Sequence, residues 1–373
     1  MSAPRPRVLL LANTVFFPPY PEELPALTGA HPRAWINDVE ADLLSVDQRL
    51  RTAPSRLRRA LYRRLPLWVV QVLEAYRVGR AYDVVFCWSV ADVALSLALL
   101  LKLTRRRMPV VALLTRVSER KKALLLRRVH SHLDRIILPP AVQREHAVRE
   151  LGVPEAKLVA LPWTLDTTFW SAPVAEPGSA LETDMICAAG GEMRDYPTLV
   201  RAMAGLDIRC HIAGVLDTTR ADWWNADERD RRGEDRVPPN VTFGTMPAAE
   251  LRALYRRSRF VVVPLRPTDS DNGITSMHEA WSMGRPVIVS AVAGQRAAFV
   301  EGREGLWVPT GDAEALRRAI VELWNDPRRA AAMGEAGRRL VVRERDHRVF
   351  SDGVSRVLRD AARRSRPAGG SPR

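Results

Sequence analysis

Short apolar runs and helix-period segments alternate along most of this chain. Val8–Leu11, Val84–Trp88, Val110–Leu114 and Ile136–Leu138 are unbroken apolar stretches of strand length, as expected of strands buried on both faces. Ala91–Leu103 and Ala141–Leu151 predict helices between them. The pattern pauses after Trp170 at SAPVAEPGSALETD, rich in Pro, Ala and Ser, and then restarts. Met185–Ala189 predicts a strand, and Leu199, Ala202, Met203 and Leu206 follow on one helical face. Further strands are predicted at Arg209–Ala213, Val241–Phe243, Phe260–Pro264, Val287–Ser290 and Leu306–Val308. Asp312 opens a helix with Leu316, Ala319, Ile320, Leu323 and Trp324 in one stripe, and helices continue from Pro327 to about Arg364. Strand–helix alternation builds parallel sheets covered by helices on both faces. Two such series predict an α/β protein of two Rossmann-like, doubly wound domains facing a central cleft, with the C-terminal helices packing back. The boundaries read as an N-terminal domain at 1–170, a linker at 171–184, a C-terminal domain at 185–345, and a final helix with a disordered tail at 346–373.

Composition narrows the class. The chain has 373 residues, 46% of them hydrophobic, which suits two folded domains. Its three cysteines, Cys87, Cys187 and Cys210, sit in apolar runs without CxxC spacing. They read as reduced, buried thiols of a cytoplasmic protein rather than a disulfide or zinc framework. The N-terminal stretch reads as a first strand, not a signal peptide. The longest apolar run, Val90–Leu101, contains Asp92 and is too short to cross a bilayer.

The formal net charge is +14, from 57 Lys and Arg against 43 Asp and Glu. Arg51, Arg56, Arg58, Arg59, Arg63 and Arg64 occur without an intervening acid, and LPLWVV follows. A second cluster runs from Arg105 to Arg128. Basic residues beside Leu, Trp and Val fit an anionic membrane surface, and so a peripheral place on the cytoplasmic face of a membrane. The alternative is a merely solvated basic face. Nucleic acid is not expected, because no helix-turn-helix, zinc-finger or RRM signature is present.

The chemistry concentrates in the second series. The first βα turn, LANTVFFPPYP, lacks GxGxxG, and no GxxxxGK[ST] occurs, so neither a dinucleotide fingerprint nor a P-loop is present. Instead Gly273-Ile274-Thr275-Ser276 opens a helix after the strand Phe260–Pro264. Free N–H groups and the helix dipole make that end an anion site. Arg194 follows the first strand of the same domain and can grip phosphate oxygens with its planar fork. Gly190 and Gly191 beside it allow a ligand close to the backbone. Glu279, further along the helix, can accept hydrogen bonds from two vicinal hydroxyls, as a ribose presents. Together these groups predict a cradle for a nucleoside diphosphate.

The segment Asp271, seven residues, then Glu279-Ala280-Trp281-Ser282-Met283-Gly284-Arg285-Pro286-Val287-Ile288 resembles the signature of the family 4 (group 1) retaining glycosyltransferases. The segments AVQREHAVRELGVPEAKLVALPWTLDTTFW, MRDYPTLVRAM, NVTFGTMPAAELRALYRRSRFVVVPL, EGREGLWVPTGDAEALRRAI and RRAAAMGEAGRRLV resemble that family in the same order. The resemblance covers Arg135 to Val342 well, and the first 130 residues only in strand order. It implies the GT-B fold, a nucleotide-sugar donor, no metal or other cofactor, and transfer to an acceptor with retention. It implies that Glu279 binds the ribose, Arg194 and the N–H groups of Thr275 and Ser276 bind the diphosphate, and Asp271 holds the donor sugar. Met246 is the candidate wall of the base pocket. Asn13, Ser89, Thr115 and Arg116 are the candidate acceptor-side residues.

Three positions depart from the family pattern. Asp271 replaces the first Glu and shortens its reach. Gly191 stands where an Arg is usual. Thr115 or Arg116 stands where a His often lies near the reacting sugar. Two other readings accompany transfer: a nucleotide-sugar epimerase on the same fold, and an inactive sugar-nucleotide-binding protein. Asp269-Ser270-Asp271 also spells DxD, a metal-binding pattern, but belongs here to the acid–Glu segment.

Overall fold

The computed structural model describes residues 5–13, 32, 39–45, 55–171, 183–214, 237–295 and 298–365. Contacts divide the chain into two units. The first comprises the described residues up to Pro162, other than Pro32, and takes in the chain again from Phe350; the second is Trp163–Val349.

The first unit contains one parallel sheet of six strands: β1 (Val8–Ala12), β2 (Asp42–Ser45), β3 (Val84–Trp88), β4 (Val110–Leu113), β5 (Arg135–Ile137) and β6 (Leu158–Val159). Their order across the sheet is β2-β1-β3-β4-β5-β6. The second unit repeats the plan with β7 (Met185–Ala189), β8 (Arg209–Ala213), β9 (Val241–Phe243), β10 (Ser258–Val263), β11 (Val287–Ser290) and β12 (Gly305–Val308), ordered β12-β11-β10-β7-β8-β9. All pairings are parallel. Each sheet therefore reverses its winding once, between β1 and β3 in the first and between β7 and β10 in the second. Loops leave opposite faces of the sheet at such a point, and the crevice beyond the strand ends there is the ligand position of open α/β sheets.

Burial explains the unbroken apolar strands. Along β7, Ile186 and Ala188 enter one core with Leu199, Met203 and Ile320, whereas Met185, Cys187 and Ala189 enter another with Tyr255, Met277 and Trp281. Alternate residues point to opposite faces, and both faces are covered by helices. Several helices of the second unit start at side-chain caps. Asp312 accepts a hydrogen bond from Ala315 N at 2.8 Å, and Asp326 from Arg329 N at 2.9 Å with Pro327 at the first helical position. The three cysteines are free and buried, and burial pushes the thiols of Cys87 and Cys187 up to about 12. Among the described residues, no helix is long and apolar enough to cross a membrane.

The structure adds elements that the pattern did not predict, and shifts the boundaries. Strands β2 and β6 are short edge strands with partly exposed residues, so neither forms an apolar run. The basic stretch after Ser55 forms two helices, Arg56–Arg64 and Leu67–Val78, broken at Pro66. Tyr62 donates a hydrogen bond to Glu74 Oε1 at 2.5 Å and Arg58 approaches the same atom at 3.1 Å, which pins one helix to the other. The first boundary falls at Pro162 rather than at 170, because Leu165, Phe169 and Trp170 pack with Tyr255 in a core of the second unit. The last helix, His347–Ser365, belongs to the first unit from Phe350 onward. There Phe350 meets Trp88 edge-on at 5.9 Å. Of the linker at 171–184, only Ser171, Thr183 and Asp184 are described; the Trp223–Trp224 loop and the tail after Ser365 lie outside the described residues.

Candidate functional site

The winding reversal between β7 and β10 brings together most of the residues singled out in the second series. Beyond β7 the chain turns through Gly190 (φ 94°) and Met193 (φ 56°) before Asp195 caps the helix Tyr196–Met203. A Cβ at position 190 would lie 2.5 Å from the Arg194 guanidinium, so only glycine leaves room for that side chain. Beyond β10, Gly273 (φ 89°) precedes the helix Ile274–Ser282, and a Cβ there would lie 2.7 Å from Val263. Two left-handed glycines thus frame one arginine.

Arg194 is 7% exposed and held on three sides. Its Nε donates to Ala189 O at 2.9 Å, one terminal nitrogen to Glu192 O at 2.9 Å, and the other to Ser276 Oγ at 3.0 Å. Ser276 Oγ lies 3.3 Å from Ala189 O as well. These bonds use three of the five guanidinium N–H groups. They fix the cation at the start of the helix Ile274–Ser282, where the N–H groups of Thr275 and Ser276 precede the first intrahelical acceptors. Thr275 is exposed, Ser276 is buried, and Ile274 packs against the core behind them.

One turn further on, Glu279 Oε2 accepts a hydrogen bond from Tyr255 Oη at 2.9 Å. Loss of water around this partly buried carboxyl pushes it up to about 7, against the lowering effects of the Tyr255 hydrogen bond and the Arg194 charge. Asp271 accepts from the indole N–H of Trp163, and Ser270 Oγ lies 3.2 Å from its other oxygen. Burial raises this carboxyl too. The loop carrying it is fixed by Gln295, which donates to Asn272 O, and by Gly294, where a Cβ would overlap Ser270 O.

Cationic, hydrogen-bonding and carboxylate groups therefore lie around one strand end: Gly190, Arg194, Gly273 and Ser276 through close approaches, Glu279 one turn along the same helix, where the Arg194 charge acts to lower its carboxyl, with Gly191, Ile274 and Thr275 contiguous with them. Met246 stands apart, lining a hollow of about 480 Å³ with His211, Thr242 and Leu254. The sequence does not single out Trp163 or Tyr255, although Trp163 donates to Asp271 and Tyr255 to Glu279.

The first unit has a second hollow, at its own winding reversal. Asn13 follows β1, Ser89 follows β3 in the left-handed region (φ 49°), and Thr115 lies just beyond β4. With Trp68, Trp88 and Lys122 these residues line a cavity of about 390 Å³. Arg116 is not among its lining residues.

Known proteins resemble this chain in sequence and in fold. Residues 193–326 match the family described as "Glycosyl transferases group 1". A GDP-mannose-dependent alpha-(1-6)-phosphatidylinositol monomannoside mannosyltransferase of Mycolicibacterium smegmatis is 33% identical over 97 residues, 25% of each chain. A D-inositol 3-phosphate glycosyltransferase of Corynebacterium aurimucosum is 36% identical over 90 residues, 24% of this chain and 21% of that one. The chain thus spans about a quarter of the length of these curated relatives. Among solved structures, sucrose-phosphate synthase from Thermosynechococcus elongatus superposes with a TM-score of 0.71 at 19% identity, covering 97% of this chain and 100% of that one. Anabaena HepE in complex with UDP-glucose gives 0.70 at 12% identity, covering 95% and 100%. Residues 193–326 are thus similar to the group 1 glycosyltransferases, and the two parallel-sheet units share the GT-B fold of these solved structures.

Proposed function

We propose that this protein transfers a sugar from a nucleoside-diphosphate donor to an acceptor, with retention of configuration at the anomeric carbon. The observation that carries the reading is the Arg194–Ser276 pair at the β7/β10 crevice, with Glu279 one turn along the same helix. The diphosphate is placed against the two remaining Arg194 N–H groups and the helix N-terminus. There its growing negative charge is stabilised as the bond to the sugar breaks. Glu279 receives the ribose hydroxyls, and Asp271 with Trp163 borders the sugar. No metal is needed in this scheme, because the guanidinium and the helix end supply the counter-charge.

The acceptor is assigned to the first unit's hollow. Asn13, Ser89 and Thr115 line it with hydrogen-bonding groups, Trp68 and Trp88 with flat apolar surfaces, and Asp92 and Lys122, the latter 3.1 Å from Glu119, with opposite charges. Such a set suits a polyhydroxylated ring. Support comes from the two curated relatives, whose names specify an inositol lipid and an inositol phosphate. A lipid-borne acceptor at an anionic membrane surface agrees with the helix Arg56–Arg64. There Leu57 and Leu61 are 85% and 51% exposed among five arginines.

Calorimetric titration with UDP, GDP, dTDP and ADP, with and without EDTA, tests the donor site in the wild type and Glu279→Ala. One nucleotide bound in the presence of EDTA, and lost in the variant, is the expected result. No binding by any of the four refutes it. Anomeric NMR of the first product tests retention. Conversion of donor alone, without acceptor, would favour an epimerase instead; binding with neither transfer nor donor hydrolysis would favour an inactive binder.

A further inference from the structure

Tyr255 lies in the helix Ala248–Arg257 and has no exposed surface. Its ring packs 5.8 Å from that of Trp170, in the same apolar cluster as Cys187, Val261, Met277 and Trp281. A phenylalanine would fill this place equally well. The hydroxyl costs free energy when buried unless it finds an acceptor, and the acceptor here is Glu279 Oε2 at 2.9 Å. An otherwise apolar wall therefore sends one hydrogen-bond donor to a carboxylate that feels the Arg194 charge. The Tyr255 bond engages Oε2.

We propose that Tyr255 is the positioning residue of the donor site: its hydroxyl fixes the Glu279 carboxylate and keeps it ionised to receive the ribose hydroxyls. The proposal rests on the reading of Glu279 given above and adds what makes that carboxylate competent.

The charged and titratable surroundings are few. Burial pushes the Glu279 carboxyl up to about 7, and two groups act against burial: the Tyr255 hydroxyl and the Arg194 guanidinium. Cys187 on β7 faces Tyr255 with a thiol pushed up to about 12, so it is uncharged. His278, adjacent on the same helix, is pushed down to about 3 by burial and by Arg345, so it is neutral as well. The helix Pro327–Glu344 packs on the Glu279 helix, and the opposing influences on this carboxyl come from Tyr255 and Arg194. Removing the Tyr255 hydroxyl takes away one of the two groups that favour the ionised form, and the carboxyl moves further up.

The test is calorimetric titration of wild type, Tyr255→Phe, Glu279→Gln and the double variant between pH 5.5 and 8.5. The probes are UDP-glucose, GDP-mannose, dTDP-glucose and ADP-glucose. Their diphosphates are doubly esterified and do not titrate in this range, so any pH dependence belongs to the protein. Wild-type affinity should fall toward about tenfold per pH unit below pH 7, as the carboxyl takes up a proton. In Tyr255→Phe the fall should begin at higher pH. Its affinity should be several-fold below wild type at pH 6.5 and close to wild type at pH 8.5. Glu279→Gln should bind weakly with a flat profile, and adding Tyr255→Phe to it should leave the profile flat. A Tyr255→Phe profile superimposable on wild type, or reduced by the same factor at every pH, overturns the proposal. A Glu279→Gln variant with wild-type affinity and profile, or a wild type that binds none of the probes, fails the underlying reading instead.

Discussion

Replacing Arg194 by alanine tests the centre of the site, because the structure fixes how much of this side chain is available to a ligand. Three of its five N–H groups are committed to Ala189 O, Glu192 O and Ser276 Oγ. The other two are assigned to phosphate oxygens in the proposed reading, with the Tyr196 hydroxyl beside them. A charge-assisted hydrogen bond contributes about 1.5–3 kcal/mol. The low end suits a crevice open to solvent, so the pair contributes about 3 kcal/mol, or roughly a hundredfold in affinity. The assay is calorimetry with the nucleoside diphosphate and, separately, with the parent nucleoside. Arg194→Ala should lose about a hundredfold for the diphosphate and little for the nucleoside, which has nothing for the guanidinium to grip. Loss of transfer rate should be of similar or larger size, since charge builds on the diphosphate as the glycosidic bond breaks. The variant's melting temperature must be measured alongside, because Ala189 O and Glu192 O lose a donor. An equal loss for nucleoside and diphosphate, or less than a tenfold loss for the diphosphate, would refute the assignment of Arg194 to phosphate.

Three further outcomes follow from packing, linkage and exposure. A Cβ on Gly337 would lie 2.2 Å from the buried Trp281 ring, whose N–H donates to Glu304 O. Overpacking costs about 1–3 kcal/mol and alanine regains about 1 kcal/mol of helix propensity. Gly337→Ala should therefore melt a few degrees lower, and an unchanged melting point would contradict the packing. Because the Glu279 carboxyl is raised in the folded state, the native protein binds the extra proton between pH 4.5 and 7. Stability in denaturant titrations, wild type minus Glu279→Gln, should fall as pH rises through that window, by at most about 1.4 kcal/mol per unit, and level off above it; a rising difference would be the wrong sign. Leu57→Glu with Leu61→Glu should reduce co-sedimentation with phosphatidylglycerol vesicles at least tenfold, since burying each leucine contributes about 1.5–3 kcal/mol. Nucleotide affinity should stay unchanged, and undiminished sedimentation would remove these leucines from any membrane contact.

Much of this arrangement is written in local sequence. The unbroken apolar runs of β3, β7 and β10 and the glycines at 190 and 273 are short-range signals with direct geometric causes, and they place Arg194, Ser276 and Glu279 at strand ends. Contacts across the sequence leave no such mark. Tyr255 belongs to the amphipathic segment ELRALYRRSRF, where its spacing predicts a core position and nothing more. Its acceptor is 24 residues away, on another helix. Trp163 reaches Asp271 across 108 residues. Edge strand β2 leaves no such mark because a half-exposed strand lacks an apolar run, and the dense arginines of Arg56–Arg64 mask the helical spacing of the segment.

The return of the last helix to the first unit has a consequence for how the protein is made. The N-terminal unit emerges from the ribosome first, yet Phe350, Val354 and Leu358, all buried, come from a segment synthesised after the whole second unit. At about 5–20 residues per second this delay is roughly 10–40 s. During that interval the Phe350 ring is missing beside Trp88, and Gly353 has not yet arrived at Leu161. The nascent first unit is thus obliged to wait, partly uncovered, for its own end. A stop codon between Glu344 and Phe350 would remove part of the N-terminal core while leaving Gly190, Arg194, Gly273, Ser276 and Glu279 in place.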